Sequence, residues 1–167
     1  VANLSAHKRG WDDRWEEYSK WAVIGEKMRN EQLFLVDEDT RAYDRIIACF
    51  GMPKGTDEEK AVRKAAITEA TKGAINTPLR TMQVCVESMA LMKAMAEKGL
   101  PASVSDAGVG ALCARTGAIG GYLNVKINCA GLADEVFKAE VIKQADVLKA
   151  KAEALEAEVM ALTLAKV

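Results

Sequence analysis

One aspartate within a long helical segment has the position expected of a catalytic acid or base. In residues 27–50, KMRNEQLFLVDEDTRAYDRIIACF, apolar side chains recur at helical spacing and form one stripe, which consists of Met28, Leu33, Val36, Tyr43, Ile46, Ile47 and Phe50. Asp39 falls inside this stripe, about 60° from Val36 and close to Tyr43 and Ile46. A carboxyl group facing a core loses solvation, which raises its pKa and suits it to carry protons near neutral pH. The alternative is an aspartate held in a structural hydrogen-bond network.

A second segment, residues 103–132, is rich in small residues and contains no proline, so we predict one long helix. Leu112, Ile119 and Leu123 occupy one side of it. The opposite face collects Asp106, Gly110, Cys113, Gly117, Gly120, Gly121, Asn124 and Asn128. Each glycine inside a helix costs about 1 kcal/mol relative to alanine. This face therefore packs very closely against another helix, or a ligand lies against its backbone.

A basic trio, His7, Lys8 and Arg9, follows the opening residues VANLSA at a predicted helix C-terminus. Cations are favoured there by the helix dipole; the functional alternative is an anion clamp. His7 is the only histidine, which excludes a multi-histidine metal site. Four cysteines, without ligand spacing, are predicted to be buried free thiols. The sequence thus calls for no metal and no nucleotide.

The composition predicts one all-helical domain covering residues 1–167. Half of the residues are apolar but only 5% are aromatic, three prolines interrupt the chain, and no alternating β pattern is present. A net charge of -1 argues against a nucleic-acid binder with a broad basic face. No apolar run approaches the roughly 20 residues of a membrane span.

Capping and turn residues divide the chain into an up-and-down bundle of long helices. After the end of an N-terminal helix, we predict helices at 12–50, 57–98, 103–130 and 133–166, with a kink in the second at Pro78. The last helix carries a coiled-coil-like seam that fits a bundle or a dimer interface. Its residues are Val141, Ala145, Leu148, Ala152, Leu155, Val159 and Leu162.

Three motifs in a consistent order resemble a known family. VANLSAHKR, LVDEDTRAYD and VSDAGVGALCARTGAIGGYLNVKINCAGLADEVF are similar to formiminotransferase-cyclodeaminase C-terminal domains and stand-alone methenyltetrahydrofolate cyclohydrolases. The resemblance implies an all-helical homodimer, with higher assembly left open, that handles one-carbon units on tetrahydrofolate. The family's catalytic aspartate, in its LVDxD motif, falls on Asp39. A glycine-rich segment usually precedes VANL in the family, so an N-terminal segment is expected to be missing here.

The resemblance also implies roles for individual residues in the cyclodeaminase reaction, an ammonia-lyase step in the cytoplasm. Asp39 would shuttle the proton, Asp106, Asn124 and Asn128 would bind the pterin or the one-carbon centre, and Lys8 and Arg9 would bind the folate carboxylates. The substrate is a tetrahydrofolate derivative, and no permanently bound cofactor is implied. A formiminotransferase domain, fused or separate, is the implied partner; no nucleic acid or membrane is expected.

Two alternatives to the cyclodeaminase remain open from the sequence. The same residues suit a methenyltetrahydrofolate cyclohydrolase, although LVDEDTRAYD and VFKAE favour the cyclodeaminase branch. A different kind of function is also open: a non-catalytic dimerisation module, in which the seam from Val141 to Leu162 forms the interface.

Overall fold

Five α-helices and two short 3-10 turns make up the computed structural model, which describes residues 1–8 and 12–167. The helices are α1 (Ala2–Ala6), α2 (Trp15–Phe50), α3 (Asp57–Lys98), α4 (Val104–Cys129) and α5 (Glu135–Leu164). The 3-10 turns span Asp12–Arg14 and Pro101–Ser103. The predicted all-α class is confirmed, and each long helix begins and ends within three residues of its predicted bounds.

Local sequence explains where these helices begin. Thr56 Oγ1 accepts from the Glu59 N–H at 3.2 Å, and Glu59 Oε2 accepts from the Thr56 N–H at 3.1 Å. This capping box satisfies two N–H groups that the helix leaves unpaired. Asp134 caps α5 by accepting from the Phe137 N–H at 3.0 Å. A hydrogen bond from Lys72 is the main reason that the pKa of Asp134 is lowered.

Helices α3, α4 and α5 form the main packing unit. The seam of α5 is used inside the chain, because Val141, Ala145, Ala152 and Val159 are buried against α3 and α4. It therefore belongs to a bundle, the first of the two predicted settings. None of the helices in the described part of the chain has an apolar stretch suited to crossing a bilayer.

The packing of α4 differs from the prediction. Leu112 and Leu123, predicted on an apolar side, are exposed, to 42% and 62%. The helix instead buries small side chains, which let it approach its neighbours closely. The buried residues of α4 are Val104, Ala107, Gly108, Ala111, Ala114, Ala118, Gly121, Val125 and Cys129. All four cysteines are free; Cys85 and Cys129 are buried as predicted, whereas Cys49 is half-buried and Cys113 is exposed, which contradicts the prediction for these two.

Helix α2 packs chiefly against α3, with α1 near its N-terminal end. Its buried residues are Tyr18, Leu35 and Ala42. The predicted core-facing stripe is wrong for a single chain. Its exposed members are Leu33, Val36, Tyr43, Ile47 and Phe50. Periodicity identified residues that share a face, but no other helix within residues 1–8 and 12–167 covers that face.

A candidate active-site cleft between α2, α3 and α4

A cleft lies where α2 and α4 face each other across α3. Its first hollow, about 370 Å³ in volume, is lined by Gln32, Leu35, Val36, Asp39, Thr40, Pro78, Thr81, Gly120, Gly121 and Asn124. The second, about 400 Å³, is lined by Asp39, Thr40, Tyr43, Ile46, Ala74, Asn124 and Asn128. Asp39, Thr40 and Asn124 border both hollows, so the two form one cleft. Three predicted site residues, Asp39, Asn124 and Asn128, therefore share it.

Asp39 lies in the seam of α2 that faces α3, but its side chain is exposed. Leu35, Ala42 and Ile46 flank it at intervals of four, three and seven residues, the spacing of a heptad seam. Across the cleft, α4 presents Gly120, which has no side chain to cover the carboxylate. The predicted loss of solvation is therefore not found in a single chain. No hydrogen bond or ion pair joins Asp39 to another of the described residues.

The glycine row of α4 has two explanations, at different positions. A β-carbon on Gly121 would lie 2.7 Å from Met82 Cγ and 2.9 Å from the Pro78 carbonyl oxygen. Gly121 therefore allows α4 to approach the backbone of α3. A β-carbon on Gly120 would have no atom within 4 Å and would point into the cleft. Close packing explains Gly121, whereas Gly120 keeps the cleft open.

Two asparagines one turn apart on α4 form a hydrogen-bonded pair. Asn128 Nδ2 donates to Asn124 Oδ1 at 3.0 Å and to the Ala74 carbonyl oxygen at 3.2 Å. Asn128 is half-buried, while Asn124 is exposed to the cleft. Since Asn124 Oδ1 is engaged, its amide N–H groups are the part that can serve a ligand.

Gln32 is a cleft residue that the sequence analysis missed. Its Nε2 donates to the Thr81 carbonyl oxygen at 3.3 Å and lies 3.4 Å from Cys85 Sγ, which ties α2 to α3. Burial raises the pKa of the Cys85 thiol, with a smaller opposing effect of the Gln32 contact. Gln32 precedes Asp39 by seven residues, so heptad spacing alone could have identified it. Thr40 and Thr81 were also missed and carried no comparable signal.

Two predicted site residues lie at the far end of the bundle. Asp106 precedes Asn124 by 18 residues of α4, about 27 Å at the helical rise. Lys8 follows α1, whose Ala6 packs in one cluster with Tyr18, and Tyr18 is about 32 Å from Asp39 along α2. Within a single chain, Asp106 therefore does not share a wall with the asparagines. Within the same single chain, Lys8 likewise lies far from the cleft, and Arg9 lies outside the described residues.

Charged groups near the cleft are largely paired. Arg80 Nε is 2.7 Å from Glu31 Oε1, and Arg80 Nη1 is 2.9 Å from Glu87 Oε1. These hydrogen bonds raise the pKa of Arg80, and the Arg80 hydrogen bond lowers that of Glu31. Arg80 is thus held in ion pairs with two glutamates. Within residues 1–8 and 12–167, no three His, Cys, Asp or Glu side chains converge as metal ligands.

The cleft can thus offer one free carboxylate for proton transfer, amide donors, and a strip of bare backbone for a flat ligand. A family model described as formiminotransferase-cyclodeaminase matches residues 1–147. The chain belongs to the formiminotransferase-cyclodeaminase family. This confirms the resemblance stated from the three motifs.

Relatives within the formiminotransferase-cyclodeaminase family carry two different names. A methenyltetrahydrofolate cyclohydrolase from Methylorubrum extorquens is 36% identical over 167 residues, which are 100% of this chain and 80% of that protein. The formimidoyltransferase-cyclodeaminase of Gallus gallus is 34% identical over 134 residues, 80% of this chain but only 25% of that protein.

A solved structure shares the fold. The crystal structure of formiminotetrahydrofolate cyclodeaminase from Thermotoga maritima matches with a TM-score of 0.84 at 21% identity, over 99% of this chain and 78% of that one. Together, the family match and the relatives support a folate cyclodeaminase or cyclohydrolase enzyme.

Proposed function

We propose that this chain acts on the one-carbon bridge between N5 and N10 of tetrahydrofolate, with Asp39 as the proton carrier. The observation that carries this proposal is the shared cleft of Asp39, Asn124 and Asn128. A carboxylate can take a proton from one reacting atom and return it to another without a metal ion.

The lining of the cleft suits a flat, polar ring. Leu35 and Val36 supply apolar contacts on α2, and Gly120 leaves the backbone of α4 uncovered. The Asn124 amide supplies hydrogen-bond donors, which orient a pterin because such rings carry a carbonyl oxygen and ring nitrogens as acceptors. The one-carbon bridge would then lie beside Asp39.

Ring opening by water is the first candidate reaction. Water adds to the methenyl carbon of 5,10-methenyltetrahydrofolate, and Asp39 takes one of its protons. The bond from that carbon to N5 then breaks, N5 receives a proton, and 10-formyltetrahydrofolate forms with net release of one proton. The relative from Methylorubrum extorquens, which is named for this reaction and matches the whole chain, favours it.

Ring closure with loss of ammonia is the second candidate. N10 of 5-formiminotetrahydrofolate, whose formimino nitrogen is protonated, attacks the formimino carbon, and Asp39 carries the proton from N10 to that nitrogen, which becomes the NH₃⁺ leaving group. Ammonia leaves and 5,10-methenyltetrahydrofolate forms. The formimidoyltransferase-cyclodeaminase of Gallus gallus, matching 80% of this chain, favours this reaction, as do the motifs LVDEDTRAYD and VFKAE.

Both reactions involve the methenyl compound, so one assay separates them. The purified chain is given 5,10-methenyltetrahydrofolate or 5-formiminotetrahydrofolate, while methenyl absorbance and free ammonia are followed. We expect accelerated loss of methenyl absorbance from the first substrate. Ammonia release from the second would assign the cyclodeaminase reaction. If neither reaction is accelerated and neither compound binds, the proposed function is wrong.

We further propose that a second copy of the chain covers the exposed face of α2 formed by Leu33, Val36, Tyr43, Ile47 and Phe50. Exposed apolar side chains on one helix face mark interaction surfaces. Val36 and Tyr43 also line the cleft, so a partner there would close one side of it and remove water from Asp39. The seam of α5 is already buried within the chain, which leaves the non-catalytic dimerisation module without its assigned interface.

Charging this face is expected to dissociate the dimer. Replacing Leu33 and Ile47 together with lysine places two cations where the partner would pack, and sedimentation velocity should change from dimer to monomer. Turnover should fall with it. The matched control replaces Val62 and Val136, which are exposed on α3 and α5, with lysine and should leave the dimer intact. A parent chain that is already monomeric at micromolar concentration would remove the dimer from the proposal.

A further inference from the structure

We propose that Pro78 is a positioning residue for the cleft, because it fixes which way the asparagine pair of α4 points. Through Asn128, it makes Asn124 present N–H donors to the substrate. This inference rests on the proposed function, since the donor matters only if a folate derivative occupies the cleft.

The first step lies in the backbone of α3. In an α-helix, the N–H of each residue donates to the carbonyl four residues before it, so an N–H at residue 78 would donate to the Ala74 carbonyl. Proline has no N–H, and the Ala74 carbonyl loses its helical donor. Ala74 is buried, and a buried carbonyl without a partner is destabilising. Asn128 Nδ2 supplies the missing hydrogen bond at 3.2 Å.

The second step follows from the chemistry of amides. A carbonyl oxygen only accepts, so the atom of Asn128 that faces Ala74 must be its NH₂ group. The same nitrogen lies 3.0 Å from the side chain of Asn124, which must therefore turn its oxygen toward it. Without the anchor at Ala74, an asparagine pair can point either way, because the two orientations have the same shape.

The third step concerns the cleft. With Asn124 Oδ1 engaged, the two N–H groups of Asn124 are free for a ligand, and Asn124 borders both hollows. Whether this wall offers donors or acceptors is thus set by Pro78 in α3, because proline lacks a backbone N–H. A substrate with an acceptor atom at this wall, such as the carbonyl oxygen of a pterin, is selected over a ring with a donor there.

A double-mutant cycle in the full chain tests this chain of contacts. Pro78→Ala restores an N–H for the Ala74 carbonyl and releases Asn128, so we expect KM to rise about tenfold, with a higher unfolding midpoint because proline is unfavourable inside a helix. Asn128→Ala should raise KM similarly. The double variant should be no worse than Asn128→Ala alone, because Pro78 acts through Asn128.

A separate variant tests the donor itself. Asn124→Asp keeps an oxygen toward Asn128 but places an acceptor in the cleft, so KM should rise at least as much as in Pro78→Ala. Parent-like KM in this variant would overturn the donor assignment.

The outcomes separate this inference from the function on which it rests. Additive increases in KM, or a lower unfolding midpoint for Pro78→Ala, would mean that Pro78 only shapes the helix and would overturn the positioning role while leaving the function intact. A parent chain that neither binds nor converts a folate overturns both. In that case, the cycle in unfolding midpoints still reports whether Pro78 and Asn128 are coupled.

Discussion

Replacing Asp39 with asparagine is expected to lower kcat by about 10²–10⁴-fold, the range that general acid–base groups contribute. The amide keeps the size and polarity of the side chain but can no longer take up and return a proton. Because Asp39 is exposed, the free energy of unfolding should not change by more than about 0.5 kcal/mol. Stopped-flow or steady-state turnover of methenyltetrahydrofolate, together with denaturant unfolding, measures both quantities.

The matched control is Asp44→Asn. Asp44 is an exposed aspartate on the same helix, but it does not border either hollow of the cleft. Its removal changes the net charge by the same amount, so any effect of bulk electrostatics on a charged substrate should appear in both variants. Turnover in Asp39→Asn equal to that of Asp44→Asn would exclude Asp39 from the mechanism.

Neighbouring glycines on α4 are expected to respond in opposite ways. Gly120→Leu places a side chain in the open cleft, so KM should rise by tenfold or more, about 1.4 kcal/mol of binding energy, while the fold persists. Gly121→Ala instead places a β-carbon 2.9 Å from the backbone oxygen of Pro78. Overpacking of this kind costs about 1–3 kcal/mol, more than the helix propensity gained over glycine. Urea unfolding and KM measurements separate the two effects.

Two further substitutions serve as controls for this pair. Gly120→Ala should stabilise the chain by up to about 1 kcal/mol, because it gains helix propensity without a clash. Gly73→Leu places the same side chain at another glycine with no atom near its β-carbon position but outside the lining of the cleft, and KM should stay at the parent value. An equal rise in KM for Gly73→Leu and Gly120→Leu would show that the cleft is not the binding site.

The helices could be predicted from the sequence because their signals are local. The capping box at Thr56 and the glycine–proline pairs after Phe50 and Lys98 depend only on neighbouring residues. The packing partners depend on the whole chain. The stripe containing Val36 was assigned to a core because it is apolar, yet none of the described helices packs on the side of α2 that carries this stripe.

The candidate site could be predicted in part for the same reason. Asp39 and the two asparagines follow from residue type and helical position. The hydrogen bond between Asn128 and the Ala74 carbonyl joins residues 54 positions apart, which no spacing rule reveals. Asp106 was grouped with the asparagines because they share a helix face, although the length of α4 separates them.

The attachment of α2 has a consequence for how substrate reaches the cleft. The helix is held along one side, with Gln32 as a polar tie to α3 beside Asp39. Elements with few neighbours open at low free-energy cost. Docking of the proposed second copy would hold α2 in place, whereas in a single chain α2 can lean outward while the α3–α4–α5 unit stays rigid. The entrance of the cleft would then widen and narrow as α2 tilts.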